Sequence, residues 1–333
     1  MEVFFSFIIP VYNRPEEIKE LLQSFEKQTY NAPYEIVIIE DGSTSPSEMI
    51  IDNFKKHLTI SYFKKRNTGP GDSRNYGMQR AKGNYFIILD SDCVLPPQYL
   101  EIVSKSLSED FVHCYGGPDA AHSSFSLVQK AINYAMTSLL TTGGIRGSKK
   151  SVNKFQPRSF NMGISKIAFE DVGGYGRIHP GEDPDLTFRF WQQGYETKLI
   201  SEAFVYHKRR IDWGKFYKQV RKFGMVRPIL NHWHPQTAKP TYWFPTLFCI
   251  GFVSAIGLFA MGIVYPFWLF AMYFFLIFCD SLLKNRNIAV ALLSLVAVGI
   301  QFVGYGYGFL KSTLLLALHR KKPEEIFPHL FFK

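Results

Sequence analysis

The sequence predicts an α/β fold with a mainly parallel sheet, followed by an α-helical transmembrane region. Three observations carry this. Short apolar runs alternate with helical patterns over the first half of the chain. The runs end in polar clusters of one kind, Tyr12-Asn13-Arg14, Asp41-Gly42-Ser43 and Asp90-Ser91-Asp92, and in open α/β sheets ligands collect at strand carboxyl ends. The apolar excess, 47% hydrophobic and 16% aromatic residues overall, gathers after about Trp243.

Phe4 to Val11 is rich in Phe, Ile and Val, as a strand buried on both faces is. It is too short to be a secretory leader and has no basic residues before it. Asn13-Arg-Pro-Glu-Glu17 reads as a helix start: a capping Asn, a Pro in the first turn and acids facing the positive helix end. Ile18, Leu21, Leu22 and Phe25 follow at helical spacing. Strands are expected at Tyr34–Ile39, around Ile60–Phe63 and at Tyr85–Leu89, with a helix from Asp72 to Ala81 closed by Gly83. Between Phe111 and Ile200 the pattern loosens. A helix around Ser126–Leu140, a flexible loop over Thr142–Lys154, a helix over Asp185–Gln193 and a short strand Ala203–Tyr206 ending at His207 are predicted.

Trp243 to Leu283 is long enough for two crossings at ~20 residues each, with a turn at Gly262 and Pro266. Ile288 to Leu310 is a third candidate span. The positive-inside rule puts the Lys284-Asn-Arg-Asn287 break, and with it the first 240 residues, in the cytoplasm. A third crossing would place His319-Arg-Lys-Lys322 outside, against the same rule. Either the last run turns back within the membrane or the tail breaks the rule.

The formal charge of +10 admits nucleic acid, anionic lipid or phosphorylated substrates. The cations are scattered in small clusters, with no long basic run and no nucleic-acid motif, so a membrane surface or a phosphate is favoured. Cys93, Cys114, Cys249 and Cys279 form no CxxC pair and read as neither a disulfide framework nor a zinc site, which suits a reducing compartment.

The stretch FIILDSD, Phe86 to Asp92, delivers two acids one residue apart at a strand end. On an extended chain both point to one side and raise each other's pKa unless a cation is near. A divalent metal, Mg²⁺ or Mn²⁺, suits such hard oxygens together with substrate phosphates. The plainer alternative is that DSD caps a turn.

FIIPVYNR, IIEDGS, SRNYGMQRAKGNYFIILDSD and GEDPDLTFRFWQQG occur in the order seen in family 2 inverting glycosyltransferases, and the resemblance covers roughly residues 4 to 230. It implies a GT-A domain, a Rossmann-like sheet that binds a nucleotide-sugar, usually a UDP-sugar, with Mg²⁺ or Mn²⁺. By resemblance Pro10, Tyr12 and Arg14 border the base and ribose pocket, Asp41 bonds the base, and Arg74 lies over the nucleotide. Asp90 contacts ribose or metal, and Asp92 is the main metal ligand. Asp183 is the general base with Glu182 beside it, and Asp185 caps the helix that follows. Asn161 and Met162 lie on the acceptor side, with Gly173 and Gly174 as turns. His207 completes the metal site and basic residues through Arg210 hold the diphosphate. Each has a plainer reading: an Asx turn at Asp41, a helix-surface Arg74, acids decorating a helix start, and a membrane-facing patch at Lys208 and Arg209.

Residues 1–210 are thus expected to form the transferase domain, 211–240 an amphipathic interface helix and linker, and 241–333 about three membrane helices with a short basic tail. Ile211 to Arg227 mixes Trp213, Phe216, Tyr217 and Phe223 with Lys and Arg. Gln219-Val-Arg-Lys-Phe-Gly224 departs from the QxxRW motif of processive synthases, which favours transfer of one sugar. The resemblance implies a multi-pass protein of the cell (inner) membrane that builds polysaccharide or glycolipid precursors on a lipid-linked or glycan acceptor. A nucleotidyltransferase and a dinucleotide-binding oxidoreductase lack their Gly-rich loop here. A processive synthase and an inactive, membrane-anchored sugar-binding or assembly protein remain as alternatives.

Overall fold

A computed structural model describes residues 3–120, 125–142, 155–207 and 212–332. The described chain runs β1 (Phe5–Val11), α1 (Pro15–Phe25), β2 (Glu35–Asp41), α2 (Glu48–Phe54), β3 (Ile60–Lys65), α3 (Pro70–Arg80), β4 (Tyr85–Leu89), β5 (Cys93–Val94), α4 (Tyr99–Glu109), β6 (Cys114–Gly116), β7 (Asp119–Ala120), α5 (Leu127–Thr137), α6 (Leu139–Thr142), β8 (Asn161–Ser165), α7 (Lys166–Val172), α8 (Glu182–Gln192), β9 (Thr197–Leu199), β10 (Val205–His207), α9 (Trp213–Trp233), α10 (Phe244–Ala260), α11 (Tyr265–Asn285), α12 (Ile288–Leu318) and α13 (Pro323–Ile326). Two compact units result. One comprises Met1–His122, Lys149–Lys208 and Phe331–Lys333, the other Ser123–Ser148 and Arg209–Leu330.

The first unit holds a seven-stranded sheet in the order β3-β2-β1-β4-β8-β6-β9. β3, β2, β1 and β4 are parallel, as predicted, and β8 runs antiparallel between β4 and β6. The period-2 pleat sends alternate β1 residues to opposite faces. Phe5, Phe7, Ile9 and Val11 pack with α1 and α4, while Ile8 faces Met78 of α3 and Leu186 and Phe190 of α8. α3 sits tight on the sheet because Gly77 has no side chain; a Cβ there would lie 2.5 Å from Ile39 Cδ1. A small sheet β5-β10-β7 brings His207 opposite Cys93. The strands β6, β7 and β9 were illegible in sequence because strands of two or three residues carry no measurable alternation.

In the second unit Asp212 caps α9 through the Lys215 amide (2.8 Å). Its apolar residues Phe216 and Val220 are buried with Ile132, Ile277, Ala297 and Phe302. α5 and α6, placed in the first domain by the sequence reading, therefore group with the helical unit: α5 has an apolar face that these helices cover. α9, expected as an amphipathic interface helix, packs on α12. Gly304 and Gly308 of α12 bring the two backbones together, since a Cβ on Gly308 would lie 2.3 Å from Arg221 O. α10 to α12 fall in the three segments Pro240–Ala260, Tyr265–Asn285 and Ile288–Leu318, all long and apolar enough to cross a membrane. α12 runs unbroken for 31 residues, so it does not turn back within itself. Most of the predicted Thr142–Lys154 loop lies outside the described residues.

Candidate active site

The ends of β1, β2 and β4 meet on one rim, and side chains tie their loops together. Asn13 does not cap α1. It takes a left-handed φ of 53°, a conformation Asn tolerates, and its Oδ1 accepts from the amides of Thr44 (2.8 Å) and Ser45 (3.0 Å). Arg14 is the residue that flanks α1, with Pro15 in the first turn. Tyr12 beside it is 51% exposed at the rim, and Pro10 is half-buried in β1.

Asp41 is buried and organises the loop after β3. Its Oδ1 accepts from Lys65 Nζ (2.7 Å) and the Thr68 amide (3.0 Å), and its Oδ2 from the Gly69 amide (3.0 Å). A carboxylate oxygen has two lone pairs, so Oδ2 retains one acceptor direction. Lys65 escaped sequence reading because it lies in a cluster, Lys64-Lys65-Arg66, that looks like scattered surface charge.

The DSD segment is not extended. β4 stops at Leu89, and the Cys93 amide donates to Asp90 O (3.1 Å), closing a turn. The two carboxylates consequently part, each to its own cation. Asp92 pairs with Arg14 and with His207 Nε2 (3.1 Å). Burial would raise its carboxyl, but His207 and Arg14 hold it at about 2. Asp90 Oδ1 pairs with Arg74 Nη2 at 2.8 Å.

Arg74 is no helix-surface residue. Its side chain is 3% exposed, and Nη1 reaches Glu182 Oε1 (3.1 Å) while Nη2 holds Asp90. Its guanidinium also lies 5.3 Å from the Tyr175 ring centre. One buried cation therefore joins the end of β4 to the start of α8. Burial would raise the Glu182 carboxyl as well, yet His179 and Arg74 hold it at about 2. His179 Nδ1 lies 3.1 Å from Glu182 Oε1; the i, i+3 spacing was its sequence signal, and it was missed.

Asp183 follows in the first turn of α8, with its side chain 15% exposed and Arg158 Nη1 3.4 Å from Oδ2. Arg158 was also missed: no motif marks a cation so far before the acid. Asp185 does not cap the helix. It lies within α8, where Oδ2 accepts from Arg189 Nε (3.1 Å) and Nη2 (2.9 Å), and Gly181 stands at the cap position. Asn161 and Met162 are fully buried on β8. Asn161 accepts from Tyr99 Oη (2.6 Å) and donates to Ala203 O (2.8 Å), so neither side chain is turned to an acceptor. Gly173 and Gly174 have φ of 81° and 73°, as turn glycines do. Lys208, Arg209 and Arg210 lie outside the described residues.

Among the described residues the one group with metal-ligand spacing is Asp92, Cys93 and His207, whose ligand atoms lie within 4.8 Å of one another. A carboxylate and an imidazole suit a divalent cation such as Mn²⁺. Cys93 suits such a cation less, because sulfur ligands favour softer metals than Mg²⁺ or Mn²⁺. Asp90, expected as a second ligand, is drawn off by Arg74 and is not in this group. Asp92 and His207 are the residues here that would hold a divalent cation.

Residues 6–173, half of the chain, match the sequence model of "Glycosyl transferase family 2". The chain belongs to this family. An uncharacterized glycosyltransferase of Rickettsia bellii is 38% identical over 105 residues, 32% of this chain and 15% of the relative. The poly(ribitol-phosphate) beta-N-acetylglucosaminyltransferase TarS of Staphylococcus aureus is 32% identical over 108 residues, 32% of this chain and 19% of TarS. The chain thus spans less than a fifth of these relatives' length. Glycosyltransferase AglE of Haloferax volcanii is 26% identical over 232 residues, 66% of this chain and 72% of AglE. Among solved structures, the mannosyltransferase PcManGT of Pyrobaculum calidifontis, in complex with GDP-Man and Mn²⁺, superposes with a TM-score of 0.57 at 13% identity, over 94% of this chain and 88% of that one. This likeness shows the fold, the GT-A class that the motif order implied, followed in this family member by apolar helices.

Proposed function

We propose that this family 2 protein transfers one sugar, with inversion, from a nucleotide-sugar to a hydroxyl of a membrane-associated acceptor, a glycan or a lipid-linked sugar, in polysaccharide or glycolipid synthesis. The observation that carries the reading is the Arg74 bridge between Asp90 and Glu182, 2.8 and 3.1 Å. It sets the DSD strand end beside the Glu182-Asp183 pair, a donor side beside a base.

In this reading Asp183 takes the proton of the acceptor hydroxyl as the oxygen attacks the anomeric carbon opposite the departing diphosphate. Glu182 remains ionised and fixes Arg74. Tyr12 and Pro10 border the base, and Asp41 accepts a base N–H through Oδ2. Asp92 and His207 would hold Mn²⁺ or Mg²⁺, which when bound neutralises charge on the leaving diphosphate. Arg14, paired with Asp92 here, borders the base and ribose pocket. A UDP-sugar is the first choice of donor; the GDP-Man of PcManGT makes a GDP-sugar the second.

The deciding experiment is thermal stabilisation of the detergent-solubilised protein by UDP, GDP and other nucleotides, with and without Mn²⁺. A metal-dependent shift with UDP is expected. A shift with GDP alone would overturn the donor, and none with any nucleotide would favour the inactive sugar-binding alternative.

For the membrane we propose two complete crossings, α10 and α11, with the catalytic unit cytoplasmic. Residues Phe331 and Phe332 belong to the sheet-bearing unit, and residues 319–330 hold only α13 and a short turn, far less than the ~20 apolar residues of a crossing. The number of crossings before them is therefore even. α12 is the helix that does not complete one: 39% of its most apolar window is buried against 11% for the other two, and it packs on α9, which bears Lys215, Lys218, Arg221, Lys222 and Arg227. Both Lys284-Asn-Arg-Asn287 and His319-Arg-Lys-Lys322 then face the cytoplasm, as the positive-inside rule asks. In a cysteine-free background Met261→Cys at the hairpin tip should react with an impermeant maleimide in intact cells, and Lys321→Cys only after lysis. Labelling of Lys321→Cys in intact cells would restore the third crossing.

A further inference from the structure

Phe331 and Phe332, which no motif singled out, add to the rim of the candidate site. Phe331 forms an antiparallel bridge with Ile178, and the Phe332 amide donates to Arg177 O (3.0 Å). This backbone pairing holds the Phe332 ring between two parts of the site. On one side is Gly69, whose amide donates to Asp41 Oδ2. The ring lies so close that a Cβ on Gly69 would be 2.3 Å from Phe332 Cδ2, and Gly69 has a φ of 93°, so only glycine meets both demands. On the other side is His179, ring centres 5.6 Å apart and planes at 52°, the histidine that holds Glu182. The ring is half-buried.

A half-buried aromatic ring beside a carboxylate oxygen with one spare acceptor direction suits a flat heterocycle that carries an N–H. We propose that Phe332 is a wall of the nucleobase pocket, so that the 331–332 segment is part of the donor-binding site. Resting on the function proposed above, this assigns the base end of that site to a pair of surfaces, the Asp41–Gly69 loop and the Phe332 ring. A nucleoside diphosphate would use both; inorganic diphosphate, lacking a base, would use neither.

The test is titration of the detergent-solubilised full chain with UDP, GDP and inorganic diphosphate, each with Mn²⁺, in the wild type, Phe332→Ala and Phe332→Leu. Stacking lost from one base weakens nucleotide binding by about tenfold or more. We expect that loss for whichever nucleotide the wild type binds in Phe332→Ala, and a smaller one in Phe332→Leu, with diphosphate affinity unchanged in both. Equal losses for nucleotide and diphosphate would show a purely structural residue and overturn the proposal. Unchanged or tighter nucleotide binding would overturn it too, the latter marking a plug in place of a wall. Should Phe332→Ala not fold, Phe332→Leu, which keeps apolar bulk, decides by the same ratio. A wild type that binds diphosphate but no nucleotide would sink the pocket, whereas one that binds neither would sink the proposed function itself.

Discussion

Asp183→Asn is expected to lower sugar transfer by about 10²–10⁴-fold while nucleotide affinity in the presence of Mn²⁺ stays within a few-fold of the wild type. The amide keeps the volume and the hydrogen-bonding outline of the acid but cannot accept the acceptor's proton. Two features make the result specific. The side chain is 15% exposed at the first turn of α8 and pairs with Arg158, so the change removes one partly exposed ion pair, and folding should suffer little. In the proposed site the donor contacts lie at the strand ends, while Asp183 stands in the first turn of α8. Transfer rates under saturating donor, alongside UDP affinity, separate the two roles. Near wild-type turnover in Asp183→Asn would refute the base assignment, and Glu182 would not inherit it, because Arg74 and His179 keep that carboxylate occupied.

Asp92→Ala should abolish the metal dependence of nucleotide binding, weakening UDP affinity with Mn²⁺ by roughly hundredfold or more, the scale at which even supporting residues of metal sites act. EDTA should weaken the wild type to a similar level and leave the variant unmoved. The loss should not reflect misfolding. Removing Asp92 frees Arg14, whose side chain is 37% exposed and can be solvated. The thermal midpoint without nucleotide should therefore change little. Cys93→Ser is the matched control: a hard divalent cation favours oxygen and imidazole ligands over sulfur, so metal-dependent binding should persist. Wild-type metal dependence in Asp92→Ala would show that the cation sits elsewhere.

The strand-end logic was legible because it is local. Apolar runs ending in polar clusters mark a parallel sheet and its rim from the chain alone, and β1, β2, β3 and β4 follow the predicted order with Tyr12, Asp41 and Asp90 at their ends. Partner choice among charges was not legible. The DSD pair looked like two acids in need of one metal, yet a single backbone turn at Asp90 sends them to different cations. Arg74 is drawn toward the sheet rim because one guanidinium there neutralises two acids on separate elements, a fact no helical periodicity records. Arg158, Lys65 and Phe332 were missed for the same reason, because their partners are remote in sequence, whereas His179 was missed beside a partner only three residues on.

By itself, then, the sequence determined where β1 to β4 run and which segments are long and apolar enough to cross a membrane, since both follow from hydrophobic period and run length. It also placed the acids at the rim. Only the tertiary structure decided which cation each acid meets, that α5 and α9 bury their apolar faces against neighbouring helices, and that Phe331 and Phe332 return to the sheet-bearing unit. Those outcomes depend on which surfaces are left to be covered once the strands have paired, and that is a property of the assembled chain.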